Sequence, residues 1–384
     1  MDVTGQEYRR MSKRAAPASP VLVNCLKAFV FGGGICALGQ AIVMLGLQLG
    51  LPKKEAGILC SLSLIALSVL LTGCQVYDNI ARHAGVGTLV PITGFANSIA
   101  STAIEFKSEG LILGEKTWEK AESALCREAF TRALDKAGFA PSQLHYIFAG
   151  DLLNQCIAST FGLREFGIPY FGQFGACSTM AQTLAIASVF VDSGAADLCC
   201  AMTSSHFCTA ERQFRYPLEY GGQRPPTAQW AATASGAAVV GLGGKGVRIS
   251  AVCGGRLNDL GITDANNMGA AMAPAAADTL SRFLQDTGTD ASDYDLIVTG
   301  DLSAIGAALF RELCDKQGIS LGSRYTDCGL LMYDRKRQDV HAGGSGCGCS
   351  AAVLCGHLLR RMECGELKQV LFIGTGAMMS TTSS

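Results

Sequence analysis

A chain of 384 residues with a net charge of −1 carries no global basic field, which excludes a mode of action built on binding nucleic acid. Charged residues make up only 16 %, against about 25 % in an average soluble protein. The deficit is local: residues 28–52, 56–77 and 84–104 contain no Asp, Glu, Lys or Arg, whereas the remainder reads as a Gly- and Ala-rich globular domain. The 17 cysteines are irregularly spaced and several sit in apolar runs (Cys36, Cys60, Cys199, Cys200). That pattern fits buried thiols in a reducing compartment rather than a disulfide framework, so the soluble half is expected to face cytoplasm.

The chain divides into a membrane segment, residues 1–114, and a soluble α/β domain, residues 115–384. Arg9, Arg10, Lys13 and Arg14 form a basic flank with no apolar run of its own, which fits a retained anchor and a cytoplasmic N-terminal end. Residues 28–52 exceed the ~20 needed to cross a hydrocarbon core, and Gly32, Gly33 and Gly34 permit close helix contacts in lipid. A polar turn, Pro52 to Glu55, leads to a second span over 56–77. The third uncharged run, about 84–104, contains TLVPITGFANSIASTAI with Pro91, Gly94, Asn97 and several hydroxyls. It reads either as a third span packed inside an oligomer or as a re-entrant segment covered by protein. With both flanks cytoplasmic the number of crossings must be even, which favours two spans and a dip. KAFVFGGGICALGQ (27–40) and LLTGCQVYDNIARHAGVGTLVPITGFANSIASTAIEFKSEG (70–110) resemble the stage V sporulation protein AC family, small membrane proteins of spore-forming bacteria. The resemblance covers most of 20–114, but the family's next apolar segment is replaced here by the amphipathic EKTWEKAESALCREAF.

From residue 115 helices, short apolar strands and glycine turns alternate. TWEKAESALCREAFTRALDKAG (117–138) has helical periodicity and stops at Gly138; HYIFAG (145–150) and ADLCCAMTSS (196–205) are apolar strands separated by the helix AQTLAIASVFVDSG. Such strands predict a mostly parallel sheet covered on both faces. The pattern repeats at an offset of 150: Arg132, Leu134, Gly138, Ser142, Ile147, Gly150, Asp151 and Leu152 reappear as Arg282, Leu284, Gly288, Ser292, Ile297, Gly300, Asp301 and Leu302. Each half then places a cysteine at a Gly-rich turn before a helix, Cys177 in GACST and Cys347 and Cys349 in GGSGCGCS. A duplicated α/β unit of this kind resembles the thiolase and ketoacyl-synthase superfamily, with Cys177 in the nucleophile's layout. A helix N-terminus stabilises a thiolate; the bland alternative is a small buried cysteine in a tight turn.

Catalysis needs more. Gly300 and Ser303 stand where that superfamily's His and Asn are expected, and His206 is the only histidine of five beside a plausible site loop. SSHFCTAERQFRYPLEYGGQRPPTAQW (204–230), MGAAMAPAAADT (268–279), YDLIVTGDL (294–302), DCGLLMYD (327–334), AGGSGCGCSA (342–351) and AGDLLNQ (149–155) resemble the stage V sporulation protein AD family over nearly all of 117–380. The resemblance implies a non-enzymatic, thiolase-like protein that binds dipicolinic acid or its calcium chelate. It implies work alongside other membrane proteins of the stage V sporulation A operon to move the acid into the spore and out at germination. The expected location is the forespore inner membrane, multi-pass and in contact with lipid, with the soluble domain on the core side. A homodimer is allowed. No cofactor is expected, calcium arriving with the ligand.

A planar aromatic diacid calls for paired cations and a stacking surface. Arg212, Arg215 and Arg224 with Tyr216 and Tyr220 fall in one loop, although a solvated loop or subunit interface has the same composition. Cys177, Cys347 and Cys349 would line the old active-site cavity, with Asp151 and Asp301 near the strand ends; two lone carboxylates do not make a metal site. Two alternatives stand beside this reading: a membrane-tethered acyltransferase using Cys177, and a scaffold that only recruits partners. Members of the AD family also carry an opening strand and continue past the last strand found here, so the α/β domain is expected to be truncated at both ends, with exposed sheet edges.

Overall fold

The computed structural model describes residues 3–110, 115–214, 224–244 and 246–378, with backbone only at 102–103 and 105–110. Two compact units emerge among the described residues, one of residues 18–110 and one of residues 3–17, 115–214, 224–244 and 246–378.

The chain opens with α1 (Gly5–Ala15), capped by Thr4, whose hydroxyl accepts from the Glu7 amide. The first unit contains α2 (Val21–Gln48), α3 (Lys53–Gly73), α4 (Tyr77–Ala84), α5 (Val86–Leu89) and α6 (Ile92–Gly110). Helices α2 and α3 are long and apolar enough to cross a membrane, and little of either is buried within the protein. Leu22, Phe29 and Leu70 stand exposed, a surface that suits lipid and not water. Small residues bring these helices together: Gly39 lies against Cys60 and Leu64, and Gly46 against Ala56. In the 88–104 run Thr88, Thr93 and Ser98 are buried, and the run accepts hydrogen bonds from its neighbours. Ser68 donates to the Thr93 carbonyl (2.6 Å), Thr72 to Asn97 Oδ1 (2.7 Å) and Tyr77 to the Thr88 carbonyl (3.0 Å). Within the described residues the run is helical, broken at Gly85 and around Pro91.

The second unit continues with α7 (Trp118–Ala137), β1 (Tyr146–Gly150), α8 (Ile157–Leu163), β2 (Tyr170–Gly172), α9 (Thr179–Asp192), β3 (Leu198–Ser205), α10 (Phe207–Phe214), β4 (Trp230–Ala231) and β5 (Ala234–Gly241). Its second half holds α11 (Met268–Thr287), β6 (Leu296–Thr299), α12 (Ser303–Lys316), β7 (Tyr325–Asp327), α13 (Cys328–Met332), β8 (Gly344–Ser345), α14 (Cys347–Val353), α15 (Leu359–Glu363) and β9 (Val370–Ile373). One sheet runs β2-β1-β3-β5, parallel except for β5; the other runs β7-β6-β9, all parallel; β4 and β8 form a short ribbon. The internal repeat is a structural one. Helices α7 and α11 stop at Gly138 (φ +75°) and Gly288 (φ +63°), left-handed positions suited to glycine. Each then passes through a one-turn helix into a central strand, where Ile147 pairs with Tyr170 and Cys200, and Ile297 with Tyr325 and Leu371.

Among the described strands, β5 and β9 each pair along one edge only, and residues 247–253 join no sheet. Both strands and residues 247–253 line a groove of about 2940 Å³. Helices α11 and α12 cross at Gly269 and Gly306, where a Cβ on Gly306 would lie 2.6 Å from the Gly269 carbonyl oxygen. Gly306→Val should therefore force the crossing apart and destabilise the unit by about 2–3 kcal/mol, read as a lower thermal midpoint of the detergent-solubilised chain.

Candidate functional site

Cys177 lies in the turn Ala176–Ser178 that leads into α9, where Ala176 holds φ +50°. Its thiol is buried beside the carboxylate of Asp301, which follows β6 in the other half. Asp301 also accepts from the Gly346 amide (2.7 Å) and the Ser345 hydroxyl (3.2 Å) in the turn that starts α14. Cys347 donates to the Ser204 carbonyl at the end of β3 (3.1 Å), and Cys349 is buried near Cys177 and Asp301. The fold thus brings Cys177, Asp301, Cys347 and Cys349 together where the two halves meet. Burial lifts the Asp301 carboxyl to about 7, opposed by its hydrogen bonds.

Asp151 occupies the matching position after β1 but serves different partners. It accepts from the Leu153 amide (2.9 Å), the Ser159 amide (2.8 Å) and the Ser159 hydroxyl (2.6 Å), tying down the start of α8. Burial raises its pKa as well. The analogous backbone anchor in the second half is Asp327, which accepts from the Leu302 (2.8 Å) and Ser303 (2.9 Å) amides. Glu122, on α7, is fully buried and accepts from Thr209 (2.7 Å) and Ser204 (3.4 Å). Burial first, then neighbouring Asp151, pushes its pKa up to about 8. Sequence reading missed Glu122 and Asp327, because nothing in an ordinary amphipathic helix or a DCG turn marks a carboxylate as buried.

The cationic loop separates into different environments. Arg224 pairs with the buried Glu211 (3.0 Å), donates to the Gln229 carbonyl (3.1 Å) and stacks on Trp230 (4.2 Å) and Phe207 (5.2 Å). Arg212 is half-exposed, pairs with Glu119 and lies over the Trp118 ring. Arg215, Tyr216 and Tyr220 lie outside the described residues. His206 is buried, and burial drives its pKa down to about 4. The large groove beside β5 and β9 is lined by none of these residues.

The stage V sporulation protein AD family profile matches residues 86–384. The chain belongs to that family. A second profile, described as SpoVAC/SpoVAEB sporulation membrane protein, matches residues 24–122. Among curated proteins, stage V sporulation protein AD of Bacillus subtilis (strain 168) is 46 % identical over 268 residues, 70 % of this chain and 79 % of that protein. Stage V sporulation protein AC of the same organism is 46 % identical over 113 residues, 29 % of this chain and 75 % of that protein. Different parts of one chain thus match two separate proteins, which makes it a fusion, and the apolar helices together with the second profile give it a membrane location. Similar solved structures include 3-oxoacyl-[acyl-carrier-protein] synthase III from Aquifex aeolicus VF5 (16 % identity, TM-score 0.47, covering 66 % of this chain and 81 % of that one). Another is acetamide-bound OleA of Xanthomonas campestris (15 % identity, TM-score 0.47, 74 % and 90 % coverage).

Two measurements follow. Arg224→Ala removes a cation held against the buried Glu211 carboxylate and should cost about 3–5 kcal/mol, whereas Arg212→Ala should cost under about 1 kcal/mol, compared by chemical denaturation. The raised pKa of Glu122 means that its favourable contribution is complete below about 4.5, the ordinary value, and is lost as pH rises through about 8. Glu122→Gln removes that loss, so its stability should gain on the parent's between pH 5 and pH 9 by on the order of 1–3 kcal/mol, measured by denaturation at each pH.

Proposed function

We propose that the chain is a component of the spore membrane system that takes up calcium–dipicolinic acid during sporulation and releases it at germination. In this reading the membrane segment lies within residues 1–114 and residues 115–384 bind the acid. The observation that carries it is the joining, in one polypeptide, of stretches 46 % identical to stage V sporulation proteins AC and AD. Two products that act on one process are natural candidates for covalent union. The proposed setting is the forespore inner membrane with the α/β unit on the core side, beside other products of the same operon.

The chemistry at Cys177 supports binding over catalysis. A working thiolate needs a basic or cationic partner, and here the thiol meets the carboxylate of Asp301. The proposed ligand set remains Cys177, Asp151, Asp301, Cys347 and Cys349 with Arg212, Arg215, Arg224, Tyr216 and Tyr220. Within it, a ligand carboxylate would compete with Glu119 for Arg212 and with Glu211 for Arg224. The exposed Arg212 pair is the easier to exchange, because its ions are already solvated.

Isothermal titration of the full chain in detergent with calcium dipicolinate should give saturable heat, weakened by Arg212→Ala. No heat at millimolar ligand would remove the binding role. The second reading, an acyltransferase, draws on the place of Cys177 at the turn into α9. It predicts a thioester on Cys177 after incubation with acyl-CoA, and intact-mass spectra without that adduct would exclude it.

A further inference from the structure

We propose that α1 is a docking helix bound to the α11–α12 face of the α/β unit, and that the segment between residues 17 and 115 therefore crosses the bilayer twice, as the α2–α3 hairpin, while α4 to α6 dip into and leave one leaflet. The proposal takes the membrane location as its premise and is independent of any ligand.

Two separate observations carry it. The first is where α1 sits. Tyr8 is fully buried and donates to the Ala270 carbonyl on α11 (2.6 Å). Met11 is buried in the same apolar cluster as Leu309, Phe310 and Leu313 of α12. Asn267 Nδ2 donates to Ser12 Oγ (3.4 Å), Arg14 pairs with Glu312 (2.6 Å), and Lys316 pairs with Glu7. The basic N-terminal flank is thus an amphipathic helix whose apolar stripe completes a core, with ion pairs at its rim. A helix inside the core of a folded unit lies on the same side of the membrane as that unit. The chain leaves this unit after residue 17 and rejoins it by residue 115, so an odd number of crossings between those points is impossible.

The second observation is the direction of α6. Ser68 meets Thr93 and, one turn further along α3, Thr72 meets Asn97; both pairs are separated by 25 residues in sequence. Advancing along α3 advances equally along α6, so the two helices run parallel. Helix α3 returns the chain towards the side it started from, and α6 starts beside the last turns of α3 and continues the same way. It cannot be a return crossing. The turn before it reaches into the helix pair: Gly87 of α5 packs against Ala28 and Gly32 in the first turns of α2. Thr88, Thr93 and Ser98 are then buried in protein and Asn97 is partly covered, as irregular or polar segments at membrane depth must be.

The test places one epitope tag before Met1, one between Pro52 and Lys53, and one after Lys116 in separate full-length chains, with protease added to one face of sealed membrane vesicles. The first and last tags should be cleaved from one face and the middle tag from the other. A first and last tag on opposite faces, or a middle tag on the same face as both, overturns the crossing number. In parallel, Ser12→Cys with Asn267→Cys in the full chain should give an intrachain disulfide-linked peptide by mass spectrometry after mild oxidation. Its absence overturns the docking. Tyr8→Asp should speed tryptic cleavage within Arg9–Arg14 at least tenfold, and an unchanged rate also overturns it. Loss of dipicolinate binding would leave every arm of this test unaffected.

Discussion

Parallel strands end with backbone amides that no neighbouring strand can meet, and in the α/β unit buried carboxylates meet them. Asp151 fixes the chain after β1 through the Leu153 and Ser159 amides, Asp327 fixes it after β6 through Leu302 and Ser303, and Asp301 holds the Gly346 amide at the start of α14. These bonds set the turns from which α8, α12 and α14 begin. Because the carboxylates are out of reach of water, burial raises the proton affinity of Asp151, Asp301 and Asp327 alike. The same geometry delivers Asp301 to Cys177 from the opposite half. A sulfur at the turn into a helix, which in isolation resembles an activated nucleophile, is thereby given an acidic neighbour.

Charge burial also shapes the arginines. Arg224 is enclosed by Glu211, Trp230 and Phe207, a setting in which a cation is held by an ion pair and two ring faces together. Arg212 shares only the rim of the unit with Glu119 and Trp118. Guanidinium groups that look equivalent along the sequence therefore differ in what a ligand would have to displace. In the membrane unit the same economy of polar groups applies in a drier solvent: Ser68, Thr72 and Tyr77 satisfy partners on the run from Thr88 to Asn97, so that its polar side faces protein.

Much of this was legible in the sequence. Charge-free runs gave α2 and α3, since nothing but length and apolarity decides whether a helix suits a bilayer. The repeat at 150 residues gave matching helix–turn–strand units at 118–150 and 268–299, because glycine stops and apolar strands are local signals. Family motifs mark both parts of the chain, because they are strings of neighbouring residues.

Tertiary structure decided the rest, because burial and pairing are properties of neighbours distant along the chain. Asp151 and Asp301 occupy equivalent strand ends yet bind different partners, since Asp151 holds the start of α8 whereas Asp301 lies beside Cys177 and holds the turn before α14. Glu122 is unremarkable in its helix and becomes a buried acid only once β3 and α10 close over it. The N-terminal basic flank reads as a membrane anchor's positive end; its Tyr8 and Met11 complete the core of a unit whose main chain begins beyond residue 114. The sequence by itself therefore determined which segments suit lipid, where the α/β halves begin and which family they belong to. Only the folded chain determined which charges are paired and which end packs on which helix, because those depend on residues separated by as many as 309 positions.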